Sequence, residues 1–331
     1  MKSSQALEVS IFVDGLGGQR TYLFTHLQTS KCLLRPARNQ IRPPYLPPPP
    51  PYTPLSMTST PLSSLLVLAL AAPSISCGAE DKGVPLHQPV SPLPRAHAHN
   101  DYHHKRPLFE ALEQGFCSVE ADIFLRGEKF HVAHTRFGIR KNRTLEELYL
   151  KPLAERVRAN GGNVYPHKTR FILLIDIKSD GNEAYPVLDK LLTRYDTLFT
   201  AHLEGRERPG PVTAILSGAR PRDLVEADRT RYCSLDGRMG DLGSKAPAHL
   251  VPLISDKWSK HFKWRGRGPI PPAEEKRLRE LVDLTRKDGR LLRFWAVPDR
   301  VECWQVLHDT GVDLINTDKL RELSRFLRSQ Q

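Results

Sequence analysis

Ser118-Val119-Glu120-Ala121-Asp122-Ile123-Phe124 reads as a β-strand, yet it carries two carboxylates in its interior. Side chains alternate along a strand, so Glu120 and Asp122 share one face. Val119, Ala121 and Ile123 share the other. The pattern recurs in Ile175-Asp176-Ile177-Lys178, where Asp176 and Lys178 face one way and the isoleucines the other. Strand interiors are normally apolar, so each polar group needs a reason. A closed parallel sheet with its active end at the strand C-termini supplies one.

Outward from this stretch, apolar strand candidates alternate with amphipathic helix candidates. The strands fall at 95–99, 118–124, 130–134, 171–177, 212–216, 232–235 or 251–254, 291–297 and 312–316. These are nine candidates for eight places, so one is an accessory strand. Helices are expected at 107–114, 145–159, 184–195, 273–288 and 300–310. Pro107 suits a first helical turn, and Gly115 and Gly311 suit helix ends. Strand–helix alternation over about 240 residues predicts an α/β fold with a single (β/α)8 TIM barrel, here spanning residues 94–331.

The remaining sequence has a different composition. The chain has 331 residues, a net charge of +12, 39% hydrophobic residues and 28 prolines. Fifteen of those prolines precede Arg95, and eight lie between Pro43 and Pro54, a run that excludes a helix or a central strand. Residues 1–56 are therefore expected to be disordered or a spurious upstream extension. Residues 57–77 read as an export signal opening at Met57, with the apolar run Leu65–Ala72 and then small residues up to Cys77. Residues 78–93 read as a linker. On this reading the protein is secreted, or is a lipoprotein anchored to a membrane through Cys77. The composition excludes a coiled coil and a multi-span membrane protein, and five cysteines exclude a disulfide scaffold. Cys117 and Cys303 lie in apolar settings that predict buried thiols.

The chemistry gathers at predicted strand ends. The first strand ends in His97-Ala98-His99-Asn100-Asp101-Tyr102, and the third candidate ends in His134. Two carboxylates side by side inside a barrel repel unless a cation or a shared proton lies between them. Glu120, Asp122 and Asp176 suit a hard divalent cation, Mg²⁺ or Ca²⁺. Lys178 can offset residual charge and hold a phosphate oxygen. His99 and His134 supply the acid–base pair for hydrolysis.

Taken in order, His-Asn-Asp-Tyr (99–102), Gly-Phe-Cys-Ser-Val-Glu-Ala-Asp (115–122), His-Val-Ala-His (131–134) and Leu-Ile-Asp-Ile-Lys (174–178) resemble the phospholipase-C-like phosphodiesterases. That superfamily includes phosphatidylinositol-specific phospholipase C, glycerophosphodiester phosphodiesterase and sphingomyelinase D. The ending Arg293-Phe294-Trp295 and Gly311-Val312-Asp313-Leu314-Ile315-Asn316-Thr317-Asp318 is similar to the altered inheritance of mitochondria protein 6 group. The resemblance implies a TIM barrel and a metal-dependent phosphoric diester hydrolase. It implies His99 and His134 as catalytic histidines, Asn100, Glu120, Asp122 and Asp176 as metal ligands, and Lys178 as a substrate-binding lysine. The partner is then a phosphodiester, with membrane phospholipid included. The glycerophosphodiesterase opening His-Arg-Gly is replaced by His99-Asn100-Asp101, which departs from a glycerophosphodiester substrate.

Two other functions fit parts of the sequence. His97-x-His99 also resembles the zinc pair of amidohydrolase or polymerase-histidinol-phosphatase-like barrel hydrolases, which would need further histidines at later strand ends. A non-catalytic barrel binding phospholipid head groups is the other. The run containing Lys257, Lys260, Lys263, Arg265 and Arg267 with Trp258, Phe262 and Trp264 suits an anionic membrane surface, a phosphorylated substrate or, as favoured here, an ordinary loop. No nucleic-acid motif accompanies it. The oligomeric state is left open.

Overall fold

The computed structural model describes residues 90–331. The expectations for residues 1–56 and 57–77, and for most of the linker, lie outside the described residues.

Eight parallel strands form the barrel. They are β1 (Leu93–Ala98), β2 (Phe116–Arg126), β3 (Phe171–Ile177), β4 (Val212–Gly218), β5 (Ser234–Gly237), β6 (Leu253–Lys257), β7 (Leu291–Trp295) and β8 (Ile315–Thr317). Neighbours pair in chain order from β1 to β7, and β8 pairs with β1. The ring is completed between β7 and β8 by a parallel bridge, Arg293 to Leu314. Both alternatives for the sixth place, 232–235 and 251–254, become barrel strands. The accessory strand is Lys129–Val132, which folds back antiparallel on the end of β2. A small three-stranded sheet, Ala201–Leu203, Arg206–Arg208 and Thr230–Arg231, lies apart from the barrel strands.

The helices are α1 (Phe109–Glu113), α2 (Lys151–Ala159), α3 (Gly181–Thr193), α4 (Arg222–Ala227), α5 (Trp258–His261), α6 (Pro272–Lys287), α7 (Val301–Thr310) and α8 (Leu320–Ser329). Local chemistry fixes their ends. Asp180 caps α3 by accepting from the Glu183 amide at 3.0 Å. Gly311 ends α7 in the left-handed conformation, φ 85°.

Strand parity divides the core in two. Val119, Ala121, Ile123, Leu173 and Ile175 face outward and pack with helix residues such as Leu188 and Leu323. The inward positions run from apolar at the strand N-termini to polar at the C-termini. Ile172 and Leu174 precede Asp176, Ile215 precedes Ser217, Leu253 precedes Ser255, and Leu291 precedes Arg293. The lower interior is thus a small apolar plug of Ile172, Leu174, Ile215, Leu253, Leu291 and Leu314. The upper interior is polar, and the site lies there.

Cys117, Cys233 and Cys303 are buried free thiols, and burial pushes the first two up to about 12. Trp258 and Phe262 are buried against Phe294, and Trp264 is buried against Trp258, so the aromatic residues of the basic 257–267 run belong to the core.

Candidate active site

Parallel register sets Asp122 of β2 beside Asp176 of β3, and Glu120 beside Leu174. Glu120 therefore lies one inward layer, about 7 Å, below the two aspartates on the strand repeat. Oxygens of Glu120, Asp122 and Asp176 still come within 4.8 Å of one another.

Glu120 is held from beneath. Its Oε2 accepts from Arg293 Nη2 at 2.6 Å and lies 3.2 Å from His97 Nε2. Arg293 Nε donates to Asn316 Oδ1 at 2.9 Å, and His97 Nδ1 lies 2.7 Å from Ser118 Oγ. Burial alone would raise the Glu120 carboxyl, but the Arg293 guanidinium and His97 outweigh it and hold it well below the usual range. Burial, with Arg293 adding to it, drives His97 down to about 3, so its ring stays neutral. Both His97 nitrogens are engaged, which leaves the zinc-pair reading without one of its ligands.

The upper layer is short of positive charge. Lys178 Nζ bridges Asp122 Oδ2 at 3.2 Å and Asp176 Oδ2 at 3.1 Å. Burial still pushes Asp176 up to about 6 against the opposing Lys178, and Asp122 moves the same way for the same reasons. Asp122 Oδ1 and Asp176 Oδ1 are buried and have no hydrogen-bond partner. Two orphaned carboxylate oxygens above a third carboxylate fit a hard divalent cation. Gly218 makes the room: it adopts φ +67°, and a Cβ there would collide with Asp176 Oδ1.

The two histidines stand on the rim, each with a carboxylate partner. His99 Nδ1 lies 2.8 Å from Asp318 Oδ1, at the C-terminal end of β8. The Asp318 amide donates to Asp299 Oδ2 at 3.0 Å, which fixes that turn. His134 Nδ1 lies 3.1 Å from Asp122 Oδ2 and 3.1 Å from the Tyr102 hydroxyl. That hydroxyl is also 2.7 Å from Asp122 Oδ2 and from Asn100 Oδ1. Asn100 occupies the left-handed region, φ 47°, where its side chain turns back toward His99 and Tyr102. In each histidine the partnered nitrogen is Nδ1, and Nε2 has no hydrogen-bond partner among the described residues.

All seven residues singled out in the sequence, His99, Asn100, Glu120, Asp122, His134, Asp176 and Lys178, thus meet at one barrel end. Four others complete the arrangement, none of them in the phosphodiesterase set expected from sequence. Tyr102 links Asn100, Asp122 and His134, and Arg293 and His97 hold Glu120. Asp318 orients His99, and its signal was its place beyond the last strand in Asn316-Thr317-Asp318. Asp101 beside them serves the scaffold, accepting from the Leu108 amide and the Tyr149 hydroxyl. A cavity of about 550 Å³ lies at the opposite end of the barrel, among Arg170, Thr213, Pro252 and Leu291, away from these groups.

Residues 85–236 match the AIM6-like phosphodiesterase domain. "Altered inheritance of mitochondria protein 6" of Eremothecium gossypii is 31% identical over 273 residues, 72% of this chain and 70% of that protein. The Saccharomyces cerevisiae protein of the same name is 30% identical, covering 71% of each. A homologue in Arthroderma benhamiae is 27% identical over 69% of this chain and 82% of its own. Among solved structures, a glycerophosphodiester phosphodiesterase from Parabacteroides distasonis aligns with a TM-score of 0.48 and 18% identity, covering 71% of this chain and 97% of that one. A calcium-dependent phosphoinositol-specific phospholipase C from Pseudomonas aligns at 0.45 and 12%, covering 69% and 89%. These relatives correct one expectation. They are named for the inheritance of mitochondria and not for export, so the reading of this chain as a secreted protein or membrane-anchored lipoprotein is withdrawn.

Proposed function

We propose that this chain, which belongs to the altered inheritance of mitochondria protein 6 family, is a metal-dependent phosphoric diester hydrolase that works by two-histidine acid–base catalysis. One observation carries the reading. Two histidines, each tied by Nδ1 to its own aspartate, flank a group of three carboxylates, two of them buried, at the C-terminal end of a barrel.

His99 is the base. Its Nδ1–H donates to Asp318, so Nε2 carries the lone pair that takes the proton from the attacking hydroxyl. That hydroxyl belongs to water or to the substrate itself. His134 is the acid. Asp122 stabilises its protonated ring through Nδ1, and Nε2–H is presented to the leaving oxygen. Tyr102, donating toward Asp122, holds that pair in place. Asp122, Asp176 and Glu120, with Asn100 Oδ1, would hold Mg²⁺ or Ca²⁺. The ion when bound supplies charge stabilisation for the phosphoryl oxygens. Lys178 presents an ammonium to a non-bridging phosphate oxygen.

The Lys178 bridge between Asp122 and Asp176 favours a second reading of the same chemistry, in which the ammonium alone supplies the positive charge. Turnover of bis-p-nitrophenyl phosphate by the protein, before and after chelation, tests both. Loss of activity on chelation and recovery with Mg²⁺ or Ca²⁺ supports the metal reading. Unchanged activity assigns the charge to Lys178. No phosphodiester turnover under either condition refutes the function.

A further inference from the structure

We propose that the loop at residues 135–143 seats the mouth of the barrel on an anionic phospholipid surface. Phe137 is fully exposed, at 101%. Among the described residues the other exposed large apolar side chains, Leu224, Leu284 and Val301, are 40–54% exposed and keep about half their surface covered. Around Phe137 the sequence His134-Thr-Arg-Phe-Gly-Ile-Arg-Lys-Asn-Arg143 carries four Arg/Lys residues and no carboxylate. Arg136, Arg140 and Lys141 are exposed and make no ion pair among the described residues.

The tip stands on a fixed base. The Val132 amide donates to the Arg143 carbonyl at 2.8 Å, His131 pairs with Thr144, and His131 Nδ1 lies 3.1 Å from the Arg140 carbonyl. Arg143 Nη2 donates to the Tyr102 carbonyl at 2.5 Å, tying the loop to the one after β1. His103 of that loop packs edge-on against His134 at 5.8 Å, and Lys105 beside it is another exposed cation. Phe137 is three residues from His134, so it projects within about 11 Å of chain from the candidate acid.

The chemistry selects the occupant. A stable protein interface buries about 1,200–2,000 Å², whereas one phenylalanine offers about 200 Å². A single aromatic tip ringed by unpaired cations is instead matched by a surface that is apolar inside and negatively charged at its face. The basic 257–267 run cannot do this, because its aromatic residues are core. Vesicle binding by this loop is read out without turnover.

The test is co-sedimentation of the full chain with phosphatidylcholine vesicles, with and without about 30% phosphatidylserine, alongside Phe137→Ala and Arg136→Gln/Arg140→Gln/Lys141→Gln. Each basic residue near the surface adds about fivefold to binding, so the triple variant is expected to bind about a hundredfold more weakly. Phe137→Ala is expected to lose about tenfold, with hydrolysis of a soluble diester unchanged. Wild-type binding is expected to fall as salt rises. Thermal melts verify that both variants fold. No preference for anionic vesicles, or equal binding by wild type and both variants, overturns the proposal. So does a change of oligomeric state in Phe137→Ala, which would make the tip a contact between copies.

Discussion

Asp318→Asn is the most informative single substitution. It keeps the size of the side chain and removes the charge that receives His99 Nδ1–H. The 2.8 Å contact marks a charge-assisted hydrogen bond. Asp318 itself titrates below the usual carboxylate range, chiefly because of its bond to His99. Hydrogen bonds to charged groups contribute about 1.5–3 kcal/mol. The Asp318 side chain is 64% exposed and that of His99 25%, so water screens the pair and the lower end applies. At about 1.4 kcal/mol per decade, this predicts kcat reduced about 10- to 30-fold. KM for a small diester should be little changed, since Asp318 acts through His99 and not on the bound substrate. The fold should be indifferent, because exposed pairs contribute about 0–1 kcal/mol to stability. The assay is steady-state hydrolysis of bis-p-nitrophenyl phosphate with a parallel thermal melt. An unchanged kcat with an unchanged melt would refute the assignment of His99 as a base oriented by Asp318.

Arg293→Met should be costly in stability, because it leaves Glu120 charged and 7% exposed with no guanidinium; the loss is about 3–5 kcal/mol, or about 10 °C in Tm by calorimetry, and adding Glu120→Gln should recover part of it. Gly218→Ala forces a side chain onto Asp176 at a positive φ, so both Tm and turnover should fall, and a variant with normal activity would show that Asp176 has no fixed place in the site. Asp189 is raised to about 6 by burial and then by Asp228, so its folded form holds a proton that the unfolded form releases from 3.8 upward. Stability is therefore lost as pH rises through about 6, and Asp189→Asn should stabilise the protein at about pH 8 with the gain vanishing toward pH 4 in urea titrations.

Much of this arrangement was legible because a barrel strand shows its inward face in alternation. Glu120 with Asp122 and Asp176 with Lys178 announce an inward polar face, and the structure sets Asp122 level with Asp176 on the adjacent strand. His99 and His134 were legible as polar ends to apolar runs. What stayed hidden acts across the ring. Nothing local to Arg293 says that it reaches Glu120, 173 positions away, because that contact exists only once β7 and β8 close the barrel against β1. Asp318 was hidden for the same reason: it belongs to His99 only through the β1–β8 pairing. The ambiguity between 232–235 and 251–254 arose because β5 is four residues long and buried throughout, too short for periodicity to speak. The aromatic residues at 258–264 suggested a surface because lysines surround them. The Trp258 and Phe262 rings pack inward on Phe294 and the Trp264 ring on Trp258, while the ammonium groups reach water.

Phosphodiester turnover at the end of the barrel where His99 and His134 stand is the central claim. Phosphorus NMR of the protein with a panel of phospholipids and glycerophosphodiesters, in the presence of Mg²⁺ or Ca²⁺, tests this most directly. The expected result is loss of a diester resonance and growth of a monoester or cyclic phosphate resonance. That change should be abolished by His99→Ala and by His134→Ala in proteins that melt like wild type. Persistence of turnover in either variant, or no change in any diester with wild-type protein, would contradict it.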